Sequence, residues 1–174
     1  VIDAAAAAPL SPEPDWAYWS YSDYTDFDTE RLEQLQEWIQ VWLDDCVAHP
    51  LRARLTLFWH NHFVAEFGIY NCTSYMYQYH RLLQEHALGN FKTFVRDIGL
   101  TPAMLVYLNG LENYKSLPNE NYARELYELF TLGADNGYTQ EDIEETARAL
   151  TGWVSIQDFC GGISFNPQQH DDGP

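Results

Sequence analysis

Positive charge is scarce in this chain. Its 174 residues hold 9 Lys and Arg against 26 Asp and Glu, a formal net charge of −17. A surface of that sign repels phosphate backbones and anionic lipid headgroups, so no nucleic-acid partner is expected. Cysteine is scarcer still. Cys46, Cys72 and Cys160 stand far apart with no Cys-x-x-Cys pair, which argues against a zinc knuckle or thiol redox motif. One disulfide with one free thiol, or three buried thiols, remain open. No apolar run reaches the roughly 18 residues a membrane-crossing helix needs. Gly-x-Ser-x-Gly, a phosphate-binding glycine loop and Gly-x-Gly-x-x-Gly are all missing, so acyl-hydrolase, nucleotidase and dehydrogenase readings lack support. Nor is there an internal repeat.

What is present is a folding composition: 46% hydrophobic and 20% charged, with 6 Trp, 12 Tyr and 9 Phe. Such a chain buries a core, and its length suits one domain better than two. Residues 1–27 have no helical or strand period. The chain begins at Val1, runs through Ala4 to Ala8, and meets Pro9, Pro12 and Pro14, a pattern expected of a processed or truncated start leading into an extended arm. Trp16, Tyr18, Trp19, Tyr21 and Tyr24 of that arm are expected to pack onto the body.

The expected fold class is all-α, with about seven short amphipathic helices over 28–152 in an orthogonal or bundle-like arrangement. Asp28 is the candidate cap of a first helix with Leu32, Leu35, Trp38, Ile39 and Trp42 inward. Pro50 opens a second, reaching to near Gly68, with Leu51, Leu55, Phe58, Trp59, His62 and Phe63 inward. Thr73, Asn90 and Pro102 open the next three. Asn119 caps a sixth carrying Tyr122, Leu126, Leu129 and Phe130, and Thr139 with Asp142 forms a capping box for a seventh that Gly152 closes. Residues 153–174 form a Gly/Pro-rich tail with a short strand expected at Ile163 to Phe165.

Several ordered runs carry a family resemblance. They are Leu57-Phe58-Trp59-His60-Asn61-His62-Phe63, His86-Ala87-Leu88-Gly89-Asn90-Phe91, Pro118-Asn119-Glu120-Asn121-Tyr122-Ala123-Arg124-Glu125-Leu126 and Phe130-Thr131-Leu132-Gly133. Ala147-Arg148-Ala149-Leu150-Thr151-Gly152-Trp153, then His170-Asp171 with Gly173, complete the set. Over about residues 50–173 the chain resembles the bacterial family catalogued as domain of unknown function 1800. The resemblance implies an extracytoplasmic location, in the periplasm, at the cell surface or secreted. It also implies a longer protein of which this chain is a part, since similar sequences continue past the His-Asp motif. Its expected partners are the remainder of its own full-length chain or a companion exported protein. It implies no reaction.

Five side chains carry the chemical reading: His60, His62, Glu120, Glu125 and His170. His60 and His62 lie two apart, about 200° round a helix, so they cannot share one ion on regular backbone. His62 shares a face with Glu66, a spacing able to place imidazole and carboxylate on one cation, although Glu66 is not part of the family pattern. Glu120, Arg124 and Glu128 read as an exposed ion-pair ladder, whereas Glu125 beside Leu126 and Leu129 needs a partner: a histidine, a distant arginine such as Arg148, or a metal. His170-Asp171 stands in a loop whose residue types helix packing does not explain. If these groups converge, they supply the nitrogen and oxygen ligands of a divalent transition metal such as zinc, iron or manganese. Two functions follow: a scaffold or binding module whose motifs serve packing, favoured for this chain as it stands, and a metal-dependent exported hydrolase or oxidoreductase.

Overall fold

The first long helix begins where Asp26 accepts from the Thr29 backbone N–H and carries Glu30 in its first turn, so its cap lies two residues ahead of the expected Asp28. In a computed structural model that describes Ala5, residues 7–156 and residues 159–173, helix α1 spans Phe27–Ala48. Val1, Ala4 and Ala6 of the expected processed start lie outside the described residues, as does Pro174. Pro50 at the first turn opens α2, Pro50–His62. A short α3, Phe67–Tyr70, ends at Asn71 in the left-handed conformation. Then come α4 (Thr73–His86), α5 (Phe91–Gly99, capped by Asn90) and α6 (Pro102–Tyr107). Helix α7 (Asn121–Glu125) continues directly into a π-helical turn, Leu126–Thr131. Helix α8 (Gln140–Ala149) starts from the Thr139/Asp142 capping box the sequence announces. The described residues thus hold eight α-helices in a bundle-like, mostly helical fold. A hairpin of β1 (Trp153–Ser155) and β2 (Ile163–Phe165) sets Trp153 opposite Phe165.

Helix α4 is the centre of the arrangement. Gln34 meets Thr73, Trp38 meets Tyr77 and His80, and Asp45 meets Gln84, so α1 and α4 run parallel. Helix α2 packs on both. The main core gathers Phe63, Tyr75, Tyr79, Leu83, Phe94, Ile98, Met104 and Phe130, and a second cluster sets Trp16 and Ala17 of the arm on Trp38 and Tyr77. Of the arm's rings Trp16 is buried, while Tyr18 and Tyr21 are exposed. Cys72 and Cys160 are joined in a disulfide and Cys46 is a free thiol, which decides between the two cysteine readings.

The structure corrects four expectations about orientation and extent. Helix α2 stops at His62, not near Gly68, because Phe63 leaves helical backbone and a separate α3 follows. On α1, Leu32 and Ile39 face solvent while Gln34 and Asp45 are buried with Trp38. Those two polar side chains find partners on α4, Gln34 at Thr73 and Asp45 at Gln84 Nε2. On α2 the buried face is Arg52, Ala53 and Thr56, and Phe58 is exposed. Leu129 is exposed, not inward; the wide π turn advances each residue by less than the α angle and carries it off the α-helical stripe.

Candidate functional site

The recognisable motifs meet one another at helix ends. The last carbonyls of a helix have no acceptor role within it and need outside donors. Trp59 of α2 donates its indole N–H to the carbonyl of Ala87, just past the end of α4, at 3.1 Å. In return Tyr79 of α4 donates its hydroxyl to the carbonyl of Phe63, just past the end of α2, at 2.5 Å. His62 reaches the carbonyl of Phe130 at the end of the π turn, at 3.0 Å. A carbonyl only accepts, so His62 carries its proton on Nε2 in this contact. The ring, partly buried, also packs near Trp59, Phe63, Phe91 and Phe130. His86 stacks on Phe94 and sets its Nε2 3.2 Å from an Asp97 carboxylate oxygen.

A second interlock joins α8 to the tail. Arg148 pairs with Asp171 at 3.0 Å and with Glu145 at 2.6 Å. Asp171 lies well below the usual carboxylate range, first because the Arg148 guanidinium donates to it and then because the Gly173 N–H does. Thr151 hydroxyl accepts from the Asp171 backbone N–H at 2.7 Å, and His170 Nδ1 donates to the Thr151 carbonyl at 3.0 Å. Gly152 sits among these groups at φ +101°, where a Cβ would lie 2.9 Å from the Phe165 ring and 3.0 Å from His170 Cβ. Only glycine suits that position.

The five predicted residues therefore stand as follows. His60 is half-buried with its ring near Tyr79, and burial lowers its pKa. His62 holds the Phe130 carbonyl, and Glu66 is exposed beyond the end of α2, so no helical spacing joins the two. Glu120 ion-pairs with Arg124 at 2.8 Å and accepts from Gln140 at 2.9 Å, and Arg124 also reaches Glu128, the ladder the spacing implied. Glu125 is raised above the usual range by burial and then by Glu128, with Arg124 opposing. Arg148, suggested as its distant partner, is instead engaged with Asp171 and Glu145. His170 is fixed on Thr151. Among the described residues no hydrogen bond or ion pair joins two of these five side chains, and no group of three or more His, Cys, Asp and Glu is placed to hold a metal ion.

Two residues with central roles escaped the sequence reading. Asn113, buried, donates to the Ala147 carbonyl at 2.8 Å and accepts from the Asn119 N–H at 2.8 Å, tying α8 to the start of α7. Nothing in its sequence neighbourhood marks it. His80, also buried, accepts from the Trp38 indole at 3.1 Å, and burial, with His60 and Arg81 adding to it, pushes its pKa down to about 3. Its place on the Tyr75–Tyr79 helix was the available cue.

A family model described as "Protein of unknown function (DUF1800)" matches residues 2–174, so the match takes in the aromatic arm as well as the motif-bearing body. No curated protein and no solved structure matches the chain.

Proposed function

The chain belongs to the DUF1800 family, and on that basis we propose that it is a non-catalytic scaffold or binding module, placed outside the cytoplasm, whose shared motifs hold helix ends together. The observation that carries this reading is the use of Trp59 and His62: both motif side chains donate to helix-terminal carbonyls of other motifs, at Ala87 and Phe130. Residue types that look catalytic in the sequence thus have a sufficient packing explanation. The Cys72–Cys160 disulfide supports the location, since such bonds persist in oxidising compartments.

One observation favours the metal-dependent enzyme as a second reading. With Nδ1 donating to the Thr151 carbonyl, His170 presents Nε2 as a lone pair, the way metal-ligating histidines are commonly fixed. Elemental analysis of the purified protein, and of variants carrying His60→Ala, His62→Ala, Glu120→Ala, Glu125→Ala or His170→Ala, separates the two. The scaffold reading expects no stoichiometric transition metal, and lowered stability for His62→Ala and His170→Ala. Stoichiometric metal that is lost on these substitutions overturns it.

A further inference from the structure

Helix α1 carries an apolar stripe that nothing among the described residues covers. Leu32, Ile39, Leu43 and Val47 follow one another at seven, four and four residues, one face of a helix. The first three are 43–51% exposed and Val47 is 84% exposed. From Leu32 to Val47 the stripe runs about 22 Å at 1.5 Å per residue. Beside it, about 100° round the axis, stands an acidic ridge of Glu33, Glu37 and Asp44, with Gln36 and Gln40 between. Glu37 accepts from the Trp16 indole and Asp44 from Gln40. No ion pair among the described residues reaches any of the three carboxylates.

We infer that the α1 stripe docks a basic amphipathic helix of a second protein, which lays an apolar face on Leu32, Ile39, Leu43 and Val47 and sets Lys or Arg against Glu33, Glu37 and Asp44. Charge favours a basic helix over a second copy. A second copy of this chain would bring two such ridges together, each on a molecule of net charge −17, and like charges across an interface oppose association. A basic helix gains both apolar burial and the ion pairs along the ridge. The inference rests on the binding-module reading and names its partner class.

The test uses the full 174-residue chain with its disulfide intact. The probes are three fluorescent peptides of about 18 residues, the length that spans the stripe: one with Leu at helical three-and-four spacing and Lys elsewhere, a scramble of it, and a copy with Glu for Lys. Anisotropy is expected to show binding of the ordered Lys peptide alone, weakening as salt rises. A Leu32→Ser, Ile39→Ser, Leu43→Ser variant should bind at least about tenfold more weakly, since each lost contact removes apolar burial. Glu33→Gln with Glu37→Gln and Asp44→Asn should weaken binding and flatten its salt dependence, and Leu129→Ser, at an exposed position of the π turn, should leave it unchanged. Circular dichroism confirms that each variant folds. Equal binding of scramble and ordered peptide, unchanged binding by the triple serine variant, or a dimer in sedimentation that this variant abolishes each overturns the inference. Failure here with no metal found removes this partner and leaves the scaffold reading, whereas stoichiometric metal strikes the scaffold reading whatever the peptides do.

Discussion

Removing the His62 ring leaves the Phe130 carbonyl without its donor, and an unmade bond of this kind costs roughly 1–3 kcal/mol. Urea unfolding of His62→Ala should show that loss, and His60→Ala, whose ring makes no hydrogen bond among the described residues, a smaller one. His80 sets a pH dependence. Its folded pKa of about 3 lies below the usual 6.5 because burial disfavours the imidazolium. Between those values the unfolded chain binds a proton that the folded one does not, so stability falls as pH drops from 6.5 toward 3, by at most about 1.4 kcal/mol per pH unit. His80→Gln can still accept from Trp38 and should have a shallower decline, measured as Tm against pH; identical slopes would exclude His80 as the source. At this scale the sequence disclosed which residue types matter but not their partners. His60 and His62 take their different roles from the neighbours they meet, Tyr79 and the Phe130 carbonyl, and those two neighbours come from other elements.

Helix starts were well marked. Pro50, Asn90, Pro102 and the Thr139/Asp142 box open helices as their local chemistry dictates, and Thr73 is the first residue of α4 although its hydroxyl goes to Gln34 and not to a helix-end N–H; the caps of α1 and α7 fall at Asp26 and Glu120, not at Asp28 and Asn119. Faces and ends were less so. A helix touched by two others has no single inward stripe, and on α1 Gln34 and Asp45 are buried because α4 brings them Thr73 and Gln84, while Leu32 and Ile39 are left outside. The π turn at Leu126–Thr131 shifts the phase of everything after Glu125, which puts Leu129 in solvent; a period read at 100° per residue has no means of sensing it. One contact between elements is especially close. Gly99 of α5 lies against the Tyr122 hydroxyl of α7 so tightly that an added Cβ would overlap it, and burial has raised that phenol to about 12. Gly99→Ala should therefore cost roughly 1–3 kcal/mol by overpacking, read by thermal unfolding, and Tyr122→Phe in the same chain should recover part of it.

For the molecule as a whole the longest covalent tie is the disulfide, which joins Cys72 at the head of α4 to Cys160 in the tail across 88 residues. Tyr75 and Tyr21 reinforce it through the carbonyls of Gly161 and Phe159. Replacing both cysteines with alanine should lower stability by roughly 2–5 kcal/mol, and hydrogen exchange should quicken in the β1–β2 hairpin before the centre of α4. A thiol assay on the native oxidised chain should count Cys46 alone. The helical class, the starts of five helices, the strand at Ile163–Phe165, the acidic surface and the family are legible along the chain, because capping chemistry, periodicity, charge and motif order are local and additive. Packing of distant segments settles that Cys72 pairs with Cys160, that Trp59 and His62 close the ends of other helices, that Arg148 engages Asp171, and that a row of leucine, isoleucine and valine on α1 stays outside. Each of these depends on which distant residue arrives opposite, a quantity no window of sequence contains.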